Sequence, residues 1–252
     1  AGLEDCLNRP LSGAYADADP QGPAPRELTL VCWNVERGVR FQAIADALAG
    51  PLRADLCVLQ EVDIHTRRTG FRNVPDELAR RLAMHYTFGA EFEELAQGGD
   101  SLRAFHGQAI LSRFPIRRAR ILRFVNQPYN WAPWWKPRIA WLQPRKGGRI
   151  SLVAEIEWGD SVIVAYNTHL ESKKSEHGRA AQMEEILQDV ASQYDERTPV
   201  IIAGDLNTEK GKDSPVIVRL QSARFRDVFE GEEKPADTSP RSGRRLDWVF
   251  LR

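Results

Sequence analysis

Val200-Ile201-Ile202-Ala203-Gly204-Asp205-Leu206-Asn207 is a short apolar run that ends abruptly at a carboxylate and an amide two residues apart. Residues i and i+2 of a strand share a face, so extended geometry carried through the end turns Asp205 and Asn207 toward one bound group. Gly204 removes a side chain just before the pair and lets backbone or ligand approach closely. An Asp/Asn turn after an ordinary strand gives the same letters. Three further apolar runs that end in the same way shift the balance. Leu28-Thr29-Leu30-Val31-Cys32-Trp33 leads to Asn34, Asp55-Leu56-Cys57-Val58-Leu59-Gln60 leads to Glu61, and Ser161-Val162-Ile163-Val164-Ala165-Tyr166-Asn167-Thr168 leads to His169. Near-continuous apolar runs imply strands buried on both faces, and the ends of such strands are where α/β sheets bind ligands.

The 252 residues are 42% hydrophobic, enough for one large α/β core, and no Ser/Gly-rich linker divides the middle. Lys+Arg and Asp+Glu both number 35, which excludes a global field drawing the chain to nucleic acid or an acidic membrane and leaves a local patch open. Cys6, Cys32 and Cys57 are odd in number and form no C-x-x-C pair, so they read as buried thiols, not a disulfide framework or zinc site. No apolar run approaches the roughly 20 residues of a membrane span, and no secretory h-region is visible. Together with the unpaired cysteines this favours a cytoplasmic location, with a removed leader left open.

Residues 1–26, rich in Pro and Gly, are expected to form an irregular N-terminal arm ahead of a single domain over residues 27–252. Phe41, Ile44, Ala45 and Leu48 fall at helical spacing before Gly50-Pro51. A second helix is expected from about Pro75, and a third from His177 to Tyr194 with Met183, Ile186, Leu187 and Val190 on one side. Further strands are expected at Gly107–Ser112, Ile150–Trp158 and Leu246–Leu251, and Gly159-Asp160 reads as a two-residue hairpin.

Four strand ends thus offer Asn, Glu, His and Asp-x-Asn. Glu61, with the neutral oxygen of Asn34, suits Mg2+, which takes few protein oxygens and keeps waters for a phosphate; Mn2+ is the alternative ion. Asp205 can orient or deprotonate an attacking water, Asn207 can fix its position or touch the phosphate, and His169 can stabilise the non-bridging oxygens. Metal-assisted hydrolysis of a phosphate ester fits this set. G-x-S-x-G, G-x-x-x-x-G-K-[ST] and H-E-x-x-H are all absent.

Six segments in order resemble the endonuclease/exonuclease/phosphatase superfamily, the DNase I-like phosphodiesterases. They are Cys32-Trp33-Asn34-Val35, Leu59-Gln60-Glu61-Val62, Gly107-Gln108-Ala109-Ile110-Leu111-Ser112-Arg113, Asn167-Thr168-His169-Leu170, Gly204-Asp205-Leu206-Asn207 and Arg245-Leu246-Asp247-Trp248. The resemblance implies a four-layer α/β sandwich, two mixed β-sheets packed face to face with helices on the outer faces. It also implies metal-binding roles for Glu61 and Asn34, catalytic roles for His169, Asp205, Asn207 and Asp247, and a substrate contact for Gln108, which stands where the family usually has Asn. In that family a closing S-D-H motif supplies a histidine partner to the aspartate matched by Asp247. No S-D-H occurs before Arg252, so that segment is expected to lie beyond the sequence; a silent module that binds without turnover is the alternative.

Between Asn126 and Trp141, four of the seven Trp residues are interleaved with Pro128, Pro133 and Pro137, which makes this stretch a loop. Exposed, Trp134 and Trp135 would stack on bases or meet lipid, with Arg138 on a phosphate; buried, the aromatics would pin the loop, Trp141 foremost. His169-Leu170-Glu171-Ser172 followed by Arg179 and Gln182 is similar to the H-L-E-S…R-x-x-Q arrangement of tyrosyl-DNA phosphodiesterases, with packing near the strand end as the plainer account. Nucleic acid is the expected substrate and phospholipid or phosphoinositide head groups the alternative; no stable protein partner is expected.

Overall fold

Alternation along each central strand divides its side chains between two apolar layers, and that division stacks the molecule. The computed structural model describes residues 5–16, 26–131, 133, 135, 139, 142, 144–173, 176–232, 237–239 and 242–252. Its strands are β1 (Leu11–Ala14), β2 (Leu30–Arg37), β3 (Leu56–Ile64), β4 (His85–Glu94), β5 (Phe105–Ser112), β6 (Ile116–Arg123), β7 (Arg145–Gly147), β8 (Ile150–Trp158), β9 (Ser161–His169), β10 (Val200–Asp205), β11 (Arg226–Asp227) and β12 (Asp247–Leu251). The helices are α1 (Phe41–Ala49), α2 (Val74–Leu82), α3 (Glu176–Gln193) and α4 (Pro215–Ser222).

The first sheet runs β1-β4-β5-β3-β2, with β7 on β4; the second runs β11-β12-β10-β9-β8-β6. β2–β3 and β9–β10 are parallel and the other pairs antiparallel, so both sheets are mixed. Leu56 and Val58 of β3 meet Ile201 and Ala203 of β10 between the sheets, together with Ile110, Leu152, Ala165 and Val249. Cys57 and Leu59 instead face Ile44 and Leu48 of α1 and Leu78 of α2. Val200 and Ile202 likewise face Met183 and Ile186 of α3 and Val216 and Leu220 of α4. The order is therefore helix, sheet, sheet, helix, the expected sandwich. Asn73 caps α2 through the Asp76 N–H, and Ser214 caps α4 through the Val216 N–H.

Two expectations need correction. The N-terminal arm is not wholly irregular: β1 pairs with β4, Cys6 is buried, and Leu7, Leu11 and Tyr15 pack on the first core. Tyr15 donates its hydroxyl to Asp76, an anchor invisible to local composition. Nor is β2 buried on both faces. It lies at the sheet's edge, and Leu30 to Asn34 are half-buried.

Ile110→Ala is expected to lower stability by about 2–5 kcal/mol, because it opens a cavity between two sheets that cannot collapse independently. Exposed Val218→Ala on α4 is expected to stay within about 0.5 kcal/mol. Urea midpoints measured side by side check both.

Candidate active site

The face that carries the inter-sheet apolar layer turns polar toward one end. Asn34 continues the row of Leu30 and Cys32, His169 that of Ile163 and Ala165, Asp205 that of Ile201 and Ala203, and Asp247 that of Val249. Register sets the neighbours: Asp205 stands opposite His169 of β9 on one side and Asp247 of β12 on the other. Gly204 permits this closeness. Its φ is 149°, and a Cβ there would lie 1.8 Å from the Thr168 carbonyl oxygen.

The opposing sheet completes the cleft. Asn34 donates its amide to Asp205 Oδ2 at 3.2 Å, and its oxygen accepts the Glu36 N–H at 3.1 Å. Glu61 sits in a β-bulge with φ of 51°, and the nearby Asn34 amide helps lower its carboxyl. Asn34 thus neighbours both Glu61 and Asp205. Asn207 departs from its expected placement. The strand ends at Asp205, and Asn207 adopts φ of 48°, giving its backbone N–H to Asp205 Oδ1 and its side chain to the Leu170 carbonyl. It holds the site's walls together rather than sharing a strand face with Asp205.

Charge states follow from burial. Burial raises Asp205 from 3.8 to about 7, helped by the neighbouring Asp247 and opposed by the Asn34 hydrogen bond. Asp247 is raised as well, chiefly by burial. Burial also pushes Glu61 upward, but His106, Arg37, Arg149 and the Asn34 amide outweigh it and hold the carboxyl below its ordinary value. His169 is held well below its ordinary value by burial first and then by Arg149, His106 and Arg145, so it is neutral near pH 7. Its Nε2 lies 3.6 Å from Asp205 Oδ2, a charged–neutral contact and not an ion pair.

Among the described residues no His, Cys, Asp or Glu cluster of three or more forms a ready-made cation cage. Mg2+ does not require one, since it is held by one or two carboxylates and several waters. Asp247 Oδ1 is buried without a hydrogen-bond partner among the described residues, and the raised Asp205 and Asp247 carboxyls record unbalanced negative charge. A divalent cation fits this deficit. Glu61 is the ionised candidate ligand, and Asn34 has a second lone pair on its oxygen to add.

Behind the cleft lies an ionic layer the sequence reading missed. Asp63 binds His106 Nδ1 at 2.7 Å and Arg68 at 2.6 Å; Glu94 binds Arg68 and Arg145, both at 2.8 Å; Glu91 binds Arg149 at 3.1 Å. Arg145 and Arg149 are 5% and 2% exposed. The signal for them was carboxylates inside the otherwise apolar run of β4, which must be paired once buried. Gln108, expected to contact substrate, is fully buried, and its amide donates to Glu91 and the Ile150 carbonyl. Trp135 is 66% exposed, whereas Trp134, Arg138 and Trp141 lie outside the described residues. Arg179 donates to the Glu171 carbonyl and the Glu171 N–H reaches Gln182, so the H-L-E-S…R-x-x-Q segment braces the strand end.

The endonuclease/exonuclease/phosphatase family pattern matches residues 31–252. The chain belongs to this family. No curated protein matches it in sequence. Among solved structures it resembles an endonuclease/exonuclease/phosphatase from Beutenbergia cavernae, with 20% identity, TM-score 0.59, and coverage of 90% of this chain but only 64% of that one. It also resembles D. rerio TDP2 humanized by 14 mutations, with 18% identity, TM-score 0.62 and coverage of 89% and 83%. Sphingomyelinase C from Streptomyces griseocarneus matches at 18% identity, TM-score 0.58, with coverage of 92% and 84%. At these identities the likeness shows the shared endonuclease/exonuclease/phosphatase fold.

Two outcomes check the site. Gly204→Ala is expected to cost several kcal/mol in thermal denaturation, since the new Cβ meets backbone and not a movable side chain. For Asp205, folding raises the pKa above the unfolded value of 3.8, so the folded state holds the extra proton. The resulting stabilisation is complete below the unfolded value and is lost as pH rises through about 7. In chelator, Asp205→Asn is therefore expected to melt above wild type at pH 8 and close to it at pH 4, by calorimetry; a lower melting point at pH 8 contradicts this electrostatic account.

Proposed function

We propose that this chain is a Mg2+-dependent phosphodiesterase that hydrolyses a phosphate ester in nucleic acid. The observation that carries the reading is the convergence of Glu61, Asn34, His169, Asp205 and Asp247 on one cleft from strands of both sheets. Family membership supports phosphoester hydrolysis as the reaction class.

Glu61 and Asn34 would hold the cation, which when bound supplies electrostatic polarisation of the phosphate. Asp205 is the proton acceptor for an attacking water: its carboxyl is raised to about 7, near the optimum for a base working at neutral pH. The Asn207 N–H fixes one Asp205 oxygen and the Asn34 amide the other, so the orientation of the base is set before substrate arrives. His169, neutral and buried beside Asp205, donates through Nε2 to a non-bridging oxygen as negative charge grows there. Asp247 raises the basicity of Asp205 through its charge. Exposed Trp135 offers a face on which a base can stack, which supports nucleic acid over a bare head group.

The test is a hydrolysis panel with Mg2+ or chelator, using bis-p-nitrophenyl phosphate, single-stranded DNA, abasic duplex, 5′-phosphotyrosyl DNA and sphingomyelin. Mg2+-stimulated cleavage of the diester and a DNA substrate is expected, lost in Glu61→Ala. His169→Ala is expected to reduce kcat by about 10²–10³ with little change in KM. Cleavage of sphingomyelin alone would replace nucleic acid with lipid; no cleavage of any substrate by wild type would leave a binding module.

A further inference from the structure

β9 and β10 run parallel and end side by side at His169 and Asp205, where the ladder stops. Two bonds reach just past it: the Leu170 N–H donates to the Asp205 carbonyl at 3.0 Å, and the Asn207 amide to the Leu170 carbonyl at 2.9 Å. Further out, the two departing segments are joined through α3. Arg179, in its first turn, donates from one guanidinium nitrogen to the Glu171 carbonyl at 3.1 Å and from another to Glu209 Oε1 at 3.0 Å. Glu171 lies two residues past His169, and Glu209 two past Asn207. One side chain therefore spans the continuations of both strands.

Glu176, one turn earlier on the same helix, holds the second segment from its other side. Its Oε1 accepts the backbone N–H groups of Glu209 at 2.7 Å and Lys210 at 3.3 Å, and its Oε2 accepts the Ser214 hydroxyl at 2.6 Å. The Arg179 nitrogen that meets Glu209 also lies 3.6 Å from Glu176 Oε1. Arg179 is 1% exposed, whereas the Glu209 side chain is 59% exposed. Burying a guanidinium carries a desolvation cost, and an apolar side chain of similar volume would fill the same space as stably. What the planar fork adds is direction, with donors held at fixed angles to one another.

We infer that Arg179 is a positioning residue: with Glu209 and Glu176 it clasps the segments that follow β9 and β10, and so sets the spacing at which His169 and Asp205 meet a substrate phosphate. The effect on turnover rests on the phosphodiesterase reading; the clasp itself does not. A displacement of about 1 Å between reacting groups can cost about 10²-fold in rate. Glu209→Ala removes one arm of the clasp at an exposed side chain, so its melting point is expected to stay close to wild type. Amide exchange at Leu170 and Asn207 is expected to rise about tenfold in this variant, as the loss of one charge-assisted hydrogen bond implies. With bis-p-nitrophenyl phosphate and Mg2+, kcat is expected to fall about tenfold at unchanged KM. Glu209→Gln keeps an acceptor oxygen and is expected to recover most of both. Arg179→Lys keeps the charge without the fork, and is expected to raise exchange further and lower kcat by about 10²-fold. Glu184→Ala, which breaks the α3–α4 surface pair with Arg219, is expected to alter neither readout. Unchanged exchange in Glu209→Ala, a kcat that stays at the wild-type value while exchange rises, a loss confined to KM, a melting point that falls in step with kcat, or the same loss in Glu184→Ala each overturn the clasp. If exchange responds as described but wild type hydrolyses no phosphodiester, the clasp stands and the phosphodiesterase reading falls.

Discussion

The Gln60 amide donates to the Asn167 side chain at 2.8 Å across the two sheets, and the Asn167 amide in turn spans the carbonyls of Leu59 and Ala109, each at 2.9 Å. Both residues are fully buried, so leaving any of these groups unpaired costs about 1–3 kcal/mol. This amide pair marks where the apolar layer stops and the polar cleft begins. It also fixes the relative register of β3, β5 and β9. A slip of one residue would flip the facing side chains, burying hydrophobic partners of His169 or Asn34 in their place. The cleft is therefore a property of how two sheets are stapled, more than of any single loop.

Beyond the staple, the regular ladder breaks on purpose-built irregularities. β2 is bulged between Asn34 and Arg37, and β3 between Leu59 and Val62. Glu36, Arg37, Glu61 and Asn207 all have positive φ without being glycine. Such strain persists only where surrounding packing over-determines it, and four of the nine such residues among those described flank the candidate cation ligands and Asp205. The same region concentrates carboxylates: Arg149 and His106 beneath help hold Glu61 below its ordinary value, whereas Asp205 and Asp247 stay raised. Stability is given up at Asp205 and Asp247 and recovered in the apolar layers on either side of each sheet.

The sequence was legible where apolar runs were clean. β3, β8, β9, β10 and β12, the hairpin at Gly159-Asp160 and helices α1 to α3 all follow from periodicity and breakers, and the end residues of four runs do converge. β4 and β6 were not legible, because Glu91, Glu93 and Glu94 interrupt one and four arginines the other. Their charges are absorbed by partners distant in sequence: Arg123 caps the carbonyls of Ala90 and Gly148, and Arg120 pairs with Asp189 and Tyr166. The spacing rule failed at Asn207 for a similar reason. Periodicity describes a strand's interior and says nothing of the residue where the chain must turn.

Asn34 and Asp205 are 171 positions apart, and Asp247 lies further along still. Parallel pairings such as β2 with β3 and β9 with β10 already require long closures, which are intrinsically slow to form. During synthesis, Glu61 and Asn34 leave the ribosome long before β10 and β12 exist to face them. A nascent chain thus carries its candidate cation ligands before the carboxylates of β10 and β12 are in place, and the cleft takes shape only once β10 and β12 have joined the second sheet.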